Sequence, residues 1–274
     1  MERIKDYFKV HFDKDLSCYQ EEFLKRSIEK RMAENGIDNE ALYAAKLENN
    51  QEEAECFLSA LSVYYSEFFR EPFAFWYLEK HIIPEIMRKK KQGQEIRIWS
   101  VGCSIGQEPY SIAILLNEMI QRSKIDINVR IFASDISGTL LERGRLGNYS
   151  RLEMKQLKLE YLDKYFTESG DHYEVSPSIK NQVTFLAYDI LDANTICPAE
   201  SIFGEFDIIF CRNLMIYYHA DYQKMILNKL ERSLVSGGYL ITGEAESAYA
   251  EMWLKHKPLM LSGAVFKSDF DRRM

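Results

Sequence analysis

Four groups of residues with chemistry to offer stand where short apolar runs end. The run at 96–101 stops at Gly102-Cys103-Ser104-Ile105-Gly106, and apolar residues then resume at helical spacing as far as Met119. Glycines let a ligand approach the backbone, and a helix start presents N–H groups that have no partner within the helix. The run at 129–133 stops at Ser134-Asp135. An acid in that place, a few tens of residues past a glycine turn, can accept both ribose hydroxyls of a nucleoside. The remaining groups, Asp189-Ile190 and Cys211-Arg212-Asn213, could line an adenine pocket and a reaction centre.

Two cofactor readings fit this set. A dinucleotide site wants G-x-G-x-x-G, and Ser104 stands where the second glycine should let a pyrophosphate come close, which weakens that reading. A nucleoside without a pyrophosphate, such as S-adenosylmethionine (SAM), asks less of the turn. A plainer role for Asp135 is to cap a helix beginning near Ser137.

Positioning such groups requires strand ends that face one way. EIRIWSV, VRIFASD, VTFLAYD, FDIIFC and GGYLITG are short β-rich runs with helical segments between most of them. That alternation predicts a mostly parallel, doubly wound α/β sheet, in which ligands bind at the carboxyl ends of the strands. Residues 1–71 read differently. Apolar residues recur there at helical spacing, as at Phe23, Leu24, Ile28 and Met32; Asn35-Gly36 stops one helix and Asp38 or Asn39 can cap the next. The expected organisation is a helical domain over 1–71, a linking helix and linker over 72–94, and the sheet domain over 95–274.

Composition narrows the function classes. At 274 residues, 46% of them hydrophobic, the chain can bury a substantial core. Five scattered cysteines without a CxxC pair fit neither a disulfide framework nor a zinc site, and the five histidines are scattered too, so no metal is expected. The charged N-terminus and the lack of any run near the ~18 apolar residues of a membrane span predict a soluble cytoplasmic protein. A net charge of −7, with one short basic run at 88–91, argues against nucleic acid as a partner.

Several motifs, in order, resemble the CheR family of chemotaxis-receptor glutamate methyltransferases: "SEFFREPFAF", "WSVGCSIGQEPYSIAILL", "IFASDISGTLLERGRLGNYSRLE", "FDIIFCRNLMIYY" and "LVSGGYLITGEAES". The resemblance implies a Rossmann-like SAM-dependent methyltransferase domain behind an all-α N-terminal domain, with a small antiparallel β-subdomain inserted at about residues 165–186. Within that insertion, 173–175 and 183–185 could pair around Pro177. The implied activity is methyl transfer from SAM to protein glutamates, giving a methyl ester and S-adenosylhomocysteine (SAH). The implied partner is a methyl-accepting chemoreceptor or a similar acidic helical protein. No insertion into a membrane is implied, and a monomer is compatible with the sequence.

By the same resemblance, Glu108 would engage the cofactor, Asp135 its ribose, Asp189 and Ile190 its adenine, and Cys211 and Arg212 would contact it after the fourth strand. Asp189 stands where the family often has Asn. Arg70 would lie near the cofactor's carboxylate and the transfer centre, with Tyr217 beside that centre. The chemistry of both side chains suits those places, since a guanidinium fork grips a carboxylate through two hydrogen bonds and a phenol ring near a sulfonium offers cation–π attraction. Tyr64-Tyr65-Ser66 replaces an Asn-x-Thr of the family, so Tyr64 and Ser66 would border a reshaped cofactor pocket. Residues 1–71 carry ten Lys and Arg against sixteen Asp and Glu, a net of −6, where the family's domain tends to be basic. A ridge of Lys25, Arg26, Lys30 and Arg31 could still dock an acidic helix. The alternative reading is a relative that senses the cofactor or docks a partner without catalysis.

Overall fold

The computed structural model describes residues 1–61, 65–123, 125–202, 204–254, 257–260 and 264–268; Tyr64 lies outside them. The chain divides into two units, Met1–Val63 with Tyr217–Gln223, and Tyr64–Ile216 with Lys224–Met274.

The first unit is helical: α1 (Glu2–Phe12), α2 (Glu21–Glu34), α3 (Glu40–Asn49) and α4 (Gln51–Leu61). Asn39 caps α3 by accepting the Ala41 and Leu42 N–H groups. Ile4 and Phe8, Leu24 and Ile28, Tyr43 and Leu47 repeat at the helical spacing of four, and these buried pairs form the core with Phe57. One ionic group is buried among them. The Glu53 carboxylate accepts from Arg31 Nε at 3.0 Å and Nη2 at 2.5 Å and from the Tyr43 hydroxyl at 2.7 Å. Tyr218 joins this unit, its ring stacked on Tyr19 at 5.3 Å.

The second unit runs α5 (Pro72–Tyr77), a π-helical stretch (Leu78–Ile82), α6 (Ile83–Lys89), β1 (Glu95–Val101), α7 (Gln107–Ser123), β2 (Asn128–Asp135), α8 (Gly138–Leu146), β3 (Asn148–Ser150), α9 (Leu159–Tyr165), β4 (Phe166–Ser169), β5 (His172–Val175), α10 (Pro177–Lys180), β6 (Val183–Ala187), β7 (Phe206–Cys211), α11 (Ala220–Ser233), β8 (Leu234–Thr242), α12 (Ser247–Leu254) and β9 (Val265–Lys267). Its main sheet has the order β6-β2-β1-β7-β8-β9, parallel except for β9. The mostly parallel sheet, the all-α unit before it and a small antiparallel sheet are the expected architecture. Parallel strands are covered on both faces, and β7 is accordingly buried along its whole length. Among the described residues no helix is long and apolar enough to cross a membrane.

Three boundaries differ from expectation. The first unit closes at Val63, and 65–71 belongs with the sheet. The stretch expected as a linking helix and linker is helical over 72–89 and is part of the core: Phe75, Leu78, Ile82, Ile83 and Ile86 are buried in one cluster with Ile98 and Ile208, because their spacing makes an apolar face that a mere connection would leave in water. The antiparallel sheet is β3-β5-β4 and so begins at Asn148. The expected pairing of 173–175 with 183–185 is absent. β6 pairs instead with β2, Ile131 opposite Val183, which lets Phe185 and Leu186 be buried in the main sheet.

Candidate functional site

Strand order places a crevice. From β1 the chain passes through α7 to β2 on one side, whereas β7 lies on the other side of β1. The loops leaving β1 and β7 therefore diverge at their carboxyl ends, the topological switch point at which open α/β sheets bind ligands. Val101 is level with Ser134 on one neighbour and with Cys211 on the other, so the turn after β1, Asp135 and Arg212 share one edge.

The turn after β1 uses left-handed backbone at Gly102, Ser104 and Gly106, with φ of 66°, 51° and 89°. A Cβ on Gly106 would stand 2.8 Å from Phe185 Cζ, which adds a steric demand for glycine to the conformational one. Ser104 has no such freedom. It is held by its N–H, which donates to Asp135 Oδ2 at 2.9 Å. The other oxygen, Oδ1, accepts the Ser137 N–H at 3.0 Å. The helix cap itself is Ser137, whose hydroxyl accepts from Leu140 N–H, so Asp135 is not spent on that plainer role. Burial pushes the Asp135 carboxyl above its ordinary value, opposed by these backbone donors. With one donor on each oxygen, the carboxylate keeps lone pairs for two hydroxyls.

Arg212 ties three loops together. Its Nη1 donates to Glu108 Oε2 at 3.2 Å and its Nη2 to Glu71 Oε2 at 3.1 Å and to the Arg70 carbonyl. The guanidinium stands 5.5 Å from the centre of the Phe75 ring. Glu108 also accepts from Ser100 Oγ at 2.8 Å. Burial drives Glu108 above the usual glutamate value despite Arg212, whereas at Glu71 the burial effect is outweighed by Arg212 and Asn213 and the carboxyl falls below it. Phe69 and Glu71, on either side of Arg70, both adopt left-handed backbone at φ 54°. Such strain persists where surroundings over-determine it. Here the Phe69 N–H donates to Ser111 Oγ at 3.0 Å, and Glu71 accepts from Asn213 Nδ2 and the Glu244 N–H, each at 3.1 Å. Arg70 donates through Nη1 to the Tyr65 carbonyl at 3.0 Å and lies 4.9 Å from that tyrosine's ring centre.

Glu71, Ser111 and Glu246 escaped the sequence reading. Glu246 is fully buried and accepts the N–H groups of Gly243, Asn213, Leu214 and Met215 at 2.6–2.8 Å, fastening the loop after β7 to the loop after β8. Its place three residues after Gly243 is a capping spacing, and that was the available signal.

The other expected residues are distributed as follows. The Tyr188 N–H donates to the Asp135 carbonyl at 3.0 Å, which sets Asp189 and Ile190 beside the end of β2. Asp189 Oδ1 accepts the Leu191 N–H at 2.9 Å, and Ile190 is buried. Cys211 ends β7 fully buried, and burial pushes its thiol well above the ordinary range, as it does for Cys103. Ser66 is half-buried in the segment before the Phe68-Phe69 turn. Tyr217 is grouped with the helical unit, where its ring lies 4.8 Å from that of Phe23 and its carbonyl accepts the Gln20 N–H at 2.8 Å. Lys25, Arg26 and Lys30 are exposed on α2. Arg31 leaves the expected ridge: at 17% side-chain exposure its guanidinium is committed to the buried Glu53, and to Glu34 at 2.5 Å. Spacing of four identifies neighbours on one helix, not the acid that another helix supplies.

Ser104 Oγ and Arg212 Nε are buried at this edge without a partner among the described residues. Those two atoms, the lone pairs left on Asp135 and the half-buried backbone of Gly102 are the donor and acceptor set that an adenosyl amino acid needs, so the residues present fit SAM.

Comparison with known proteins agrees. Residues 65–259 match the family model described as "CheR methyltransferase, SAM binding domain", and residues 1–62 match "CheR methyltransferase, all-alpha domain". Relatives include chemotaxis protein methyltransferase 1 of Pseudomonas aeruginosa, 30% identical over 88% of this chain and 89% of that protein. Another is chemotaxis protein methyltransferase Cher2 of Pseudomonas putida, 37% identical over 65% of this chain and 64% of that one. The chemotaxis protein methyltransferase of Salmonella typhimurium is 33% identical over 85% of this chain and 78% of its own length. The crevice at the switch point, its donor set and these matches lead to one assignment: the chain belongs to the CheR methyltransferase family and is a methyltransferase whose cofactor is S-adenosylmethionine.

Proposed function

We propose that the protein methylates glutamate side chains on the cytoplasmic domain of a methyl-accepting chemoreceptor, leaving a glutamate methyl ester and SAH. The observation that carries this reading is the strained Phe69–Arg70–Glu71 turn, fastened by Arg212 to the same strand ends that carry Gly102 and Asp135. It holds a guanidinium in reserve at the edge of a cofactor crevice, and a carboxylate substrate is what a guanidinium recognises. The names of the relatives supply the chemotaxis setting.

When bound, SAM supplies a methyl group on a positively charged sulfur, which a carboxylate oxygen displaces in line as the C–S electron pair returns to sulfur. A glutamate is already ionised at pH 7, so the protein needs no strong base and what remains for it is alignment to within about 3–3.5 Å. Asp135 would take the ribose hydroxyls, and Asp189 with Ile190 would flank the adenine. Glu108, Gly102, Cys211, Ser66 and Tyr64 would border the remainder. Arg212 would spend its free Nε on the amino-acid end while its other nitrogens keep Arg70 in place. Arg70 would hold the incoming carboxylate. Tyr217, which follows the same loop in sequence, would offer a hydroxyl and a ring face near the reacting carbon. Lys25, Arg26 and Lys30, freed of Arg31, would dock an acidic receptor helix.

Incubation with methyl-labelled SAM and candidate receptor cytoplasmic domains tests the reading. Base-labile label on receptor glutamates is expected from the intact chain and is lost with Arg70→Ala. Label that resists base, or SAH binding with no transfer to any receptor domain, refutes it.

A further inference from the structure

α11 buries Ile226, Leu227 and Leu230, and on the same side, 7% exposed, stands Lys229. A lysine head is costly to bury unless its donors are satisfied. Here Nζ donates to the Ile190 carbonyl at 2.7 Å and to the Asp192 carbonyl at 2.6 Å, and it lies 5.5 Å from the centre of the Tyr188 ring. Both acceptors belong to the irregular segment between β6 and β7 that contains Asp189 and Ile190. Several bonds inside that segment are local: Leu191 N–H to Asp189 Oδ1, Asp192 N–H to the Asp189 carbonyl, Asn194 N–H to Asp192 Oδ1; its two ends are tied further away, by the Tyr188 N–H on the Asp135 carbonyl at 3.0 Å and by Arg97 Nη2 on the Ser201 and Gly204 carbonyls at 2.7 and 3.2 Å. Local bonds shape a turn without fixing where it stands. Between those two ties the fixation comes from α11, where Ser233 Oγ donates to the Ile196 carbonyl at 3.2 Å one turn beyond the ammonium. An apolar side chain of equal length would fill the space, strip the buried Ile190 carbonyl of its donor and leave the half-buried Asp192 carbonyl only the long Thr195 N–H bond at 3.4 Å.

We propose that Lys229 is a positioning residue for the cofactor: its ammonium clamps the 189–192 segment against α11 and thereby sets the wall that receives the adenosine end of SAM. The proposal rests on the reading that Asp189 and Ile190 flank the adenine. Lys229 touches neither the cofactor nor the reacting atoms. Its action is on the two carbonyls, and its loss is felt as a wall that no longer stands in one place.

The test uses the full chain with Lys229→Met, and Lys229→Gln, whose amide still donates, should the Met variant not fold. Calorimetric titration with SAH is expected to show affinity lowered about tenfold or more in the Met variant, the effect of losing a charge-assisted bond, and less in the Gln variant. Amide exchange at 190–195 should quicken without SAH, and in turnover KM for SAM should rise while kcat at saturation holds. Ile190→Ala runs beside it. If Ile190→Ala weakens SAH binding and the Lys229 variants do not, the clamp is wrong and the adenine placement stands. If Ile190→Ala leaves the affinity unchanged, the adenine placement fails and the clamp with it. A Lys229→Met protein that melts earlier but binds SAH normally assigns Lys229 to stability alone and overturns the proposal.

Discussion

Replacing Arg212 by leucine removes a guanidinium whose side chain is 2% exposed and leaves Glu108 and Glu71, at 15% and 18%, facing an apolar side chain. Removing one partner of a buried ion pair costs about 3–5 kcal/mol. Because both acids keep some contact with water, the lower end applies, about 3 kcal/mol at pH 7, or a fall in Tm of roughly 6–12 °C at ~2–4 °C per kcal/mol. Urea unfolding monitored by circular dichroism measures it. The sign of the pH dependence is a second check. Without Arg212, the folded-state pKa of Glu108 rises further above its unfolded value. The penalty is complete above that raised pKa and fades as pH falls through it toward the unfolded one, so the deficit of the variant shrinks in acid. Adding Glu108→Gln should recover part of the loss, with a coupling of about 1–3 kcal/mol. A loss under about 1 kcal/mol at pH 7, or a deficit that stays constant down to acid pH, refutes the account of the Arg212 centre.

Asp135→Asn should weaken SAH binding at neutral pH. In the unaltered protein, affinity should fall with acid while the pH is still above the ordinary aspartate range, because burial raises this carboxyl, and the Asn variant should show no such titration by calorimetry. Gly106→Ala should destabilise by about 2–5 kcal/mol in urea, from left-handed backbone and overpacking together. Gly138→Ala, with open space around its Cβ, should be neutral or slightly stabilising. Arg31→Ala should cost about 3 kcal/mol by stranding Glu53 without changing affinity for a receptor helix. Lys25→Glu with Lys30→Glu should do the reverse, weakening receptor binding at unchanged Tm.

What could be read from the sequence follows from the range of each signal. The ends of the strands carrying Gly102, Asp135 and Arg212 are readable because parallel strands announce themselves as short apolar runs and their carboxyl ends then share one edge. Glu71, Ser111 and Lys229 are not, because each acts on a residue 39 to 141 positions away and nothing local marks the pairing; Glu246 shows its capping distance from Gly243 but not the loop 31 positions back that it fastens. Arg31 shows the same blindness from the other side: a helical repeat reveals its own face but not Glu53 on α4. The 72–89 stretch looks like a connection since its apolar residues are interrupted by His81, Pro84 and charged residues, yet only those on one face need to be apolar. Residues 183–187 suit a hairpin partner locally, but the edge of β2 offers burial of Phe185 and takes them.

Arg212 reaches Glu108 across 104 residues and Glu71 across 141, and Asn213 meets Glu246 a further 33 along the chain. Closing spans of that length precedes any return from the contacts they bring. During synthesis both acids leave the ribosome long before their guanidinium, and they wait hydrated. The turn around Arg70 has only the Ser111 hydroxyl to hold its left-handed backbone until β7 emerges, and the backbone N–H groups after β7 have no carboxylate to accept them until Glu246 does. Competence to bind is therefore a late event in the life of each molecule, and a nascent chain halted before β8 carries the parts of the crevice without the crevice.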